Sequence, residues 1–209
     1  MMLDVSALTD WIERLAVAID EEQAHLSELD AAIGDGDHGA NMARGFTAVK
    51  GKLEQGPVET PAALFKLVAM TLISTVGGAS GPLYGTLFLE AAKAAGDAQA
   101  LDGASLHEVF AAGLAGVRMR GKAAPGDKTM VDALTPAVDA LAGDDDLRER
   151  LQRAAAAAAR GAEATKPLVA HKGRASYLGE RAIGHEDPGA ASSALLFATL
   201  AEAAMEPVR

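Results

Sequence analysis

One short stretch, LDAAIGDGDHGANMARGF at 29–46, constrains this chain more than any other part of its sequence. It holds three aspartates (Asp30, Asp35 and Asp37), one histidine and four glycines between two helical patterns. Carboxylates this close together repel one another unless a cation lies between them, and Mg²⁺ binds to one or two carboxylates together with phosphate oxygens. Aspartate and glycine also form ordinary turns and helix caps. Three acidic residues in one loop nevertheless favour a metal–phosphate site.

Length, charge and cysteine content limit the class of protein. The 209 residues suffice for one sizeable core, so a single domain over 1–209 is expected. A net charge of −10 argues against a basic surface for nucleic acid or an anionic membrane. The chain has no cysteine for a disulfide or a thiolate metal site. Because neither a signal peptide nor a membrane-spanning apolar run is recognisable, we expect a cytoplasmic protein.

Apolar residues recur at helical spacing along almost the whole chain. The longest such stripe covers Ser6–Glu28. Aromatic residues make up 4% of the chain, and no segment alternates with period two between turn residues, so no strand is predicted. The pattern predicts an all-α fold, a single-domain barrel or bundle of about eight antiparallel up-and-down helices. The other predicted helices are Ala40–Leu53, Pro61–Val76, Pro82–Ala95, Ser105–Met119, Met130–Leu141, Asp146–Ala164 and Gly189–Met205.

Two glycine motifs look like phosphate-binding patterns and are rejected. Gly34–Gly39 fits G-x-G-x-x-G, but a dinucleotide site needs a preceding strand, and Asp35 and Asp37 would repel a phosphate held directly. Gly116–Ala123 lacks the Ser or Thr of a Walker A loop and closes a helix instead of opening one. The first loop is therefore expected to bind phosphate through a metal, with Asp30 contributed by the end of the preceding helix.

Three further connections are candidates for the same site. The glycine-rich segment 76–82 can direct backbone N–H groups and a helix N-terminus at an anion. The segment 121–132 carries Met130, which can press against a purine or belong to the core. The polar connection 166–189 is long, and long connections in compact domains are frequently functional. Within it, Arg174 can bind a phosphate or stack on a base.

Four motifs in sequence order resemble the nucleotide-binding L subunit of bacterial dihydroxyacetone kinase. They are GDGDHGANMARGF, GGASGPLYGT, PGDKTMVDALTPA and ATKPLVAHKGRASYLGERAIGHEDPGA, and the resemblance extends from about Ala7 to the C-terminus. It implies a barrel of eight antiparallel helices with ADP at one end and two Mg²⁺ ions held by Asp30, Asp35 and Asp37. It also implies a nucleotide site lined by His38, Gly39, Ala40, Asn41, Ala79, Ser80, Gly121, Met130, Arg174, Asp187, Pro188 and Gly189.

The same resemblance implies a reaction shared among subunits. ADP held tightly on such a chain is rephosphorylated by a phosphohistidine of the M subunit, and the γ-phosphate then passes to dihydroxyacetone on the K subunit. The short chain favours this phosphoenolpyruvate-driven form over kinases with both domains on one polypeptide. Two alternatives stay open: a subunit that exchanges ATP and phosphorylates another small polyol or acyl substrate, and a nucleotide-loaded partner of a transcription regulator. A homodimer is left open as well.

Overall fold

Helices account for most of residues 1–205, the part of the chain that the computed structural model describes. The last four residues of the single domain predicted over 1–209 lie outside the described residues. Within 1–205 the all-α prediction is confirmed. The helices are α1 Val5–Glu21, α2 Gln23–Ile33, α3 His38–Leu53, α4 Pro61–Thr75, α5 Ser80–Ala95, α6 Gly103–Gly121, α7 Met130–Leu141, α8 Leu147–Glu163 and α9 Pro188–Met205.

The structure differs from the sequence prediction in three places. The single helix expected over Ser6–Glu28 is divided at Glu22, whose backbone leaves the helical region without any Gly or Pro to signal it. Two short strands, β1 Leu3–Asp4 and β2 Ala100–Leu101, pair antiparallel and are too short to show a period of two. The connection before α9 contains a 3₁₀ helix over Arg174–Ala182, interrupted at Gly179.

Helices that follow one another in sequence pack against one another. This holds for α4 with α5, α5 with α6, α7 with α8 and α8 with α9. Helix α1 packs against α9 and so joins the beginning of the bundle to its end. Each connection between two packed antiparallel helices reverses the direction of the chain. As a result, the connections α2–α3, α4–α5, α6–α7 and α8–α9 all come to one end of the bundle, where they share a cavity.

A cluster of aromatic rings holds the centre of the bundle together. Trp11 of α1 lies against Phe65, Phe88 and Phe110, with ring centroids 6.3, 6.2 and 5.9 Å away. Its indole Nε1 donates a hydrogen bond of 3.0 Å to the carbonyl of Leu196 on α9. Aromatic pairs of this kind add about 0.5–1.5 kcal/mol each beyond burial. The few aromatic residues of the chain are thus used to join α1 to α4, α5, α6 and α9.

The ends of several helices are fixed by side-chain caps that the sequence shows directly. The hydroxyl of Thr60 accepts a hydrogen bond of 3.1 Å from the backbone N–H of Ala63, and Pro61 occupies the first turn of α4. Asp187 caps α9 in the same way through the N–H of Ala190, at 2.7 Å. None of the helices in residues 1–205 combines the length and apolar character that a membrane crossing requires.

Helices α7 and α8 approach so closely that only glycine fits at one position. A Cβ atom placed on Gly161 would lie 2.3 Å from the carbonyl oxygen of Asp132 and 2.9 Å from the Cα of Ala133. Both neighbours are backbone atoms, so the side chain cannot be accommodated by a rotamer change. Gly51 of α3 is different, since a Cβ there would meet nothing within 4 Å.

Alanine substitution at these two glycines is expected to change stability in opposite directions. Gly161→Ala should lower the free energy of unfolding by about 1–3 kcal/mol, because it forces α7 and α8 apart. Gly51→Ala, the matched control, should raise it by up to about 1 kcal/mol, because alanine has the higher helix propensity. Urea unfolding followed by circular dichroism measures both. A stabilised Gly161→Ala variant would contradict the close approach of α7 and α8.

Candidate functional site

The four connections at one end of the bundle surround a cavity of about 370 Å³. Each of the candidate segments named from the sequence contributes to its lining: the aspartate loop after α2, the glycine-rich loop before α5, the segment around the start of α7, and the connection before α9. Residues as far apart in sequence as Asp30 and Gly189 thus line the same cavity. The fold of the helices, rather than any single motif, creates the site.

The aspartate loop gathers its three carboxylates at the mouth of the cavity. Asp30 lies in the last turn of α2, whereas Asp35 and Asp37 lie in the loop that follows. One carboxylate oxygen from each of these residues lies within 4.8 Å of the other two. Oxygen Oδ2 of Asp30 accepts hydrogen bonds from the backbone N–H groups of Asp37 and His38, at 2.8 and 3.1 Å. These bonds fold the loop back over the end of α2.

Glycine is required where this loop passes the Asp30 side chain. A Cβ atom on Gly34 would lie 2.2 Å from Oδ1 of Asp30 and 3.0 Å from its backbone oxygen. Gly36 has a φ of +76°, which L side chains rarely adopt. The two glycines therefore let the chain turn tightly enough to bring Asp35 and Asp37 beside Asp30.

The donor set of this cluster fits a hard divalent cation. Carboxylate oxygens are the ligands that Mg²⁺ prefers, and three of them converge from one short loop. One oxygen of the cluster already has a cationic neighbour, because Nη1 of Arg174 lies 2.5 Å from Oδ2 of Asp35. That ion pair is partly exposed to solvent, so it contributes little to folding stability. It shows that the cluster attracts positive charge.

The glycine-rich loop before α5 provides the opposite kind of surface. Gly77, Gly78, Ala79 and Ser80 line the cavity, and Ser80 begins α5. Gly78 has a φ of +65°, a left-handed conformation that glycine adopts without strain. Free backbone N–H groups at a helix N-terminus bind anions. The cavity therefore has an anion-binding wall next to a cation-binding one, as a metal–phosphate complex requires.

A buried hydrogen-bond network supports these two walls from behind. His38 contacts the hydroxyl of Ser80 through Nδ1 at 3.1 Å and that of Ser192 through Nε2 at 2.9 Å. The Tyr84 hydroxyl lies 2.7 Å from the Ser192 hydroxyl and 3.0 Å from that of Ser193. Burial lowers the pKa of His38 against the opposing effect of Asp30 and Asp37, and burial raises the pKa of Tyr84 to about 12. Both side chains are consequently neutral hydrogen-bonding groups near pH 7.

The starts of α7 and α9 form the far wall of the cavity. Thr129 caps α7 in a reciprocal arrangement with Asp132, and Met130 follows with 4% of its surface exposed. Gly189 passes close to this turn, since a Cβ there would lie 3.5 Å from the Cβ of Met130. Asp187 is half-buried, and removal of its carboxyl from water raises its pKa to about 7.

Most of the site residues proposed from the resemblance meet at this cavity, and three do not line it. Gly39, Ala40 and Asn41 lie in the first turn of α3, where Gly39 packs against the backbone of α2 and Asn41 contacts Arg44. Their role in nucleotide binding stays a prediction. The proposed residues that do line the cavity are Asp30, Asp35, Asp37, His38, Ala79, Ser80, Gly121, Met130, Arg174, Asp187, Pro188 and Gly189.

Lys128 and Tyr84 are among the cavity-lining residues that the sequence did not single out. Lys128 is a buried lysine that bonds to carbonyls far away in sequence, and Tyr84 belongs to the network behind Ser80. Lys128 belongs to the motif PGDKTMVDALTPA, so the sequence places it near the site. Nothing in the sequence, however, distinguishes a buried lysine from an exposed one. Tyr84 lies four residues after Ser80, a helical spacing that could have linked the two.

Comparisons with known proteins agree with this geometry. The sequence model of the DAK2 domain matches residues 32–202. The ADP-binding subunit DhaL of PEP-dependent dihydroxyacetone kinase 1 from Listeria innocua is 49% identical over 187 residues, covering 90% of each chain. Triokinase/FMN cyclase of Rattus norvegicus is 38% identical, over 91% of this chain and 34% of that protein. The crystal structure of the dihydroxyacetone kinase from C. freundii in complex with AMP-PNP and Mg²⁺ has a TM-score of 0.74 and 33% identity, over 94% of this chain and 34% of that chain.

Asp187→Asn is expected to remove a pH-dependent loss of stability from the ligand-free chain. The folded-state pKa of Asp187, about 7, lies above the value of about 3.9 in an unfolded chain, so ionisation disfavours the folded state increasingly from about pH 4 to about pH 7. At about 1.4 kcal/mol per pKa unit, the gain of the variant over the wild type should grow with pH by up to about 4 kcal/mol. Urea unfolding between pH 4 and 8 measures this difference.

Asp187→Ser provides the control for the helix cap. Serine also accepts a hydrogen bond at an N-cap. The free energy of unfolding of Asp187→Ser, relative to that of the wild type, should therefore rise with pH as it does for Asp187→Asn, although its value at low pH differs. Stability differences that stay constant with pH in both variants would show that the Asp187 carboxyl ionises normally in the folded state.

Proposed function

The chain belongs to the DAK2 domain family, and on this basis we propose that it is the ADP-binding, phosphoryl-transferring subunit of a phosphoenolpyruvate-dependent dihydroxyacetone kinase. The observation that carries the proposal is the convergence of Asp30, Asp35 and Asp37 beside an anion-binding helix N-terminus. A diphosphate cannot approach three carboxylates directly. Cations between the two are required, and adenine nucleotides are bound by proteins in that form.

Each wall of the cavity has a separate task in this proposal. The aspartate cluster holds two Mg²⁺ ions, whose contribution is to neutralise the charge of the phosphate oxygens during transfer. The backbone N–H groups of Ala79 and Ser80 orient the phosphates, and His38 fixes the Ser80 hydroxyl from behind. Met130 offers an apolar surface to the adenine ring, while Asp187 and Gly189 border it at the start of α9.

The remaining groups for the reaction are proposed to come from partner chains. The chemistry that the nucleotide supplies at this site is phosphoryl transfer, from a phosphohistidine of an M subunit to dihydroxyacetone on a K subunit. The cavity is bordered by loops at the end of the bundle, where a partner can reach it. The same rim is available to a transcription regulator, which we include among the candidate partners. A cytoplasmic location and tight retention of ADP belong to the same proposal.

A second candidate is a subunit that exchanges ATP freely with solution. The observation that supports this candidate is the 38% identity to a triokinase/FMN cyclase, a relative whose name gives a different activity. The 49% identity to an ADP-binding DhaL subunit supports the first proposal more strongly. The rate of nucleotide release distinguishes the two: retention of ADP through gel filtration supports the cofactor role, and rapid loss supports exchange.

Asp35→Asn is expected to abolish Mg²⁺-dependent retention of ADP while the helical content stays unchanged. The substitution removes one of three converging carboxylates, which should weaken nucleotide binding roughly 100-fold or more, the scale at which metal sites respond to altered ligation. Co-purified ADP is measured by chromatography of the released nucleotide. Asp20→Asn, an equal change of charge at an exposed position of α1, serves as the matched control and should retain ADP. Retention by Asp35→Asn would contradict the metal–phosphate site.

Arg174→Ala is expected to weaken ADP binding less than Asp35→Asn does, by about tenfold. Arg174 can supply charge-assisted hydrogen bonds to a phosphate, but the cations between the carboxylates and the diphosphate carry most of the charge compensation. Isothermal titration of both variants with ADP at fixed Mg²⁺ gives the ranking. Equal losses in the two variants would contradict this ranking, because the arginine would then matter as much as the metal cluster.

A further inference from the structure

Lys128 is a cation in an unusual environment beside the cavity. It is 1% exposed, and its Nζ atom donates hydrogen bonds to two backbone carbonyls, those of Thr165 at 2.6 Å and His185 at 2.5 Å. Its φ of +61° lies in the left-handed region, which costs energy for a residue with a side chain. A buried ammonium with a strained backbone persists only where the surrounding structure requires it.

The two carbonyls that Lys128 binds lie at opposite ends of the connection between α8 and α9. Thr165 lies just after α8, and His185 lies three residues before α9 begins. Two backbone N–H groups also hold these ends together. That of Gly184 donates to the carbonyl of Lys166 at 2.7 Å, and that of Asp187 donates to the hydroxyl of Thr165 at 2.9 Å. The ammonium therefore joins the two ends of this connection at one point.

The connection closed in this way forms a wall of the cavity. Lys172, Gly173, Arg174 and Ala175 line the cavity from it, and Arg174 reaches across to Asp35. Between its ends, the connection also contacts the body of the protein, because Ala175 and Ala182 are buried in a cluster with Ile33 of α2. The N–H of His171 donates a hydrogen bond of 3.1 Å to the carbonyl of Asp127, which is the residue next to Lys128.

We propose that Lys128 is a positioning residue. Its ammonium closes the connection 166–187 and thereby holds the cavity-lining residues 172–175, which include Arg174, against the nucleotide. Lysine suits this task because its ammonium offers three donors and no acceptor, so it can satisfy carbonyls from two directions at once. The nucleotide part of the inference rests on the proposed function, whereas the closure of the connection does not. Lys128 acts through the loop and is not itself placed among the reacting groups.

The closure is tested first on the ligand-free chain. In Lys128→Met, hydrogen exchange of the backbone amides in 172–183 should become between about 10-fold and 100-fold faster, the factor expected when hydrogen bonds from a charged donor are lost. Amides in α1, α4 and α5 should exchange as in the wild type. Lys52→Met, the same substitution at an exposed lysine of α3, is the matched control and should leave exchange in 172–183 unchanged.

The effect on the site is tested by ADP release in the presence of Mg²⁺. Release from Lys128→Met should be about tenfold faster than from the wild type. Rescue separates the ammonium from the shape of the side chain: because the natural chain has no cysteine, Lys128→Cys can be alkylated while unfolded and then refolded. Aminoethylation, which restores an ammonium at nearly the same position, should return both slow exchange and slow release. Propylation, which adds the same length without charge, should not.

Each outcome bears on the proposal. Unchanged exchange in 172–183 in Lys128→Met, or equal behaviour of the aminoethylated and propylated proteins, would overturn it. Faster exchange throughout the helices would overturn it as well, because the role of Lys128 would then be general to the fold. If Lys128→Met does not fold, Lys128→Gln replaces it, and failure of both to fold contradicts a role confined to the connection. If the wild type binds no ADP, the proposed function fails while the exchange result still decides the closure.

Discussion

The mutual repulsion of Asp30, Asp35 and Asp37 is the interaction on which the rest of this site depends. The loop that carries them could relieve the repulsion by spreading, but Asp30 instead accepts the N–H groups of Asp37 and His38, and two glycines let the chain turn back on itself. Positive charge from outside the loop is then required, and Arg174 provides some of it in the ligand-free chain. In the proposed function, Mg²⁺ ions supply the remainder and bring the phosphates with them.

The up-and-down order of the helices places the aspartate loop beside the other segments that form the site. Every second connection returns to the same end of the bundle, so the aspartate loop, the anion-binding turn before α5, the start of α7 and the closed connection before α9 become neighbours. The aromatic cluster around Trp11 fixes the helices that carry these connections. The core and the site are therefore linked: the rings hold the helix ends in place, and the helix ends hold the walls of the cavity.

Much of this arrangement could be predicted from the sequence, because helical periodicity, caps and loop composition are local properties. The helices after the aspartate loop were predicted to within a few residues of their observed ends, and the carboxylate cluster was predicted from its spacing alone. The break at Glu22 could not be predicted, since no glycine or proline marks it. The bonds from Lys128 to Thr165 and His185, and from His38 to Ser192, join residues 37 to 154 positions apart. Such pairings depend on the packed fold and leave no periodic signal.

The central claim is that divalent cations hold the three carboxylates to a diphosphate. Anomalous diffraction from crystals grown with ADP and Mn²⁺ in place of Mg²⁺ tests it most directly, because manganese marks its own position. The predicted result is a pair of peaks between the oxygens of Asp30, Asp35 and Asp37 and the phosphates of the nucleotide. A nucleotide bound without any peak at these oxygens, or carboxylates directed into solvent while ADP is bound, would contradict it.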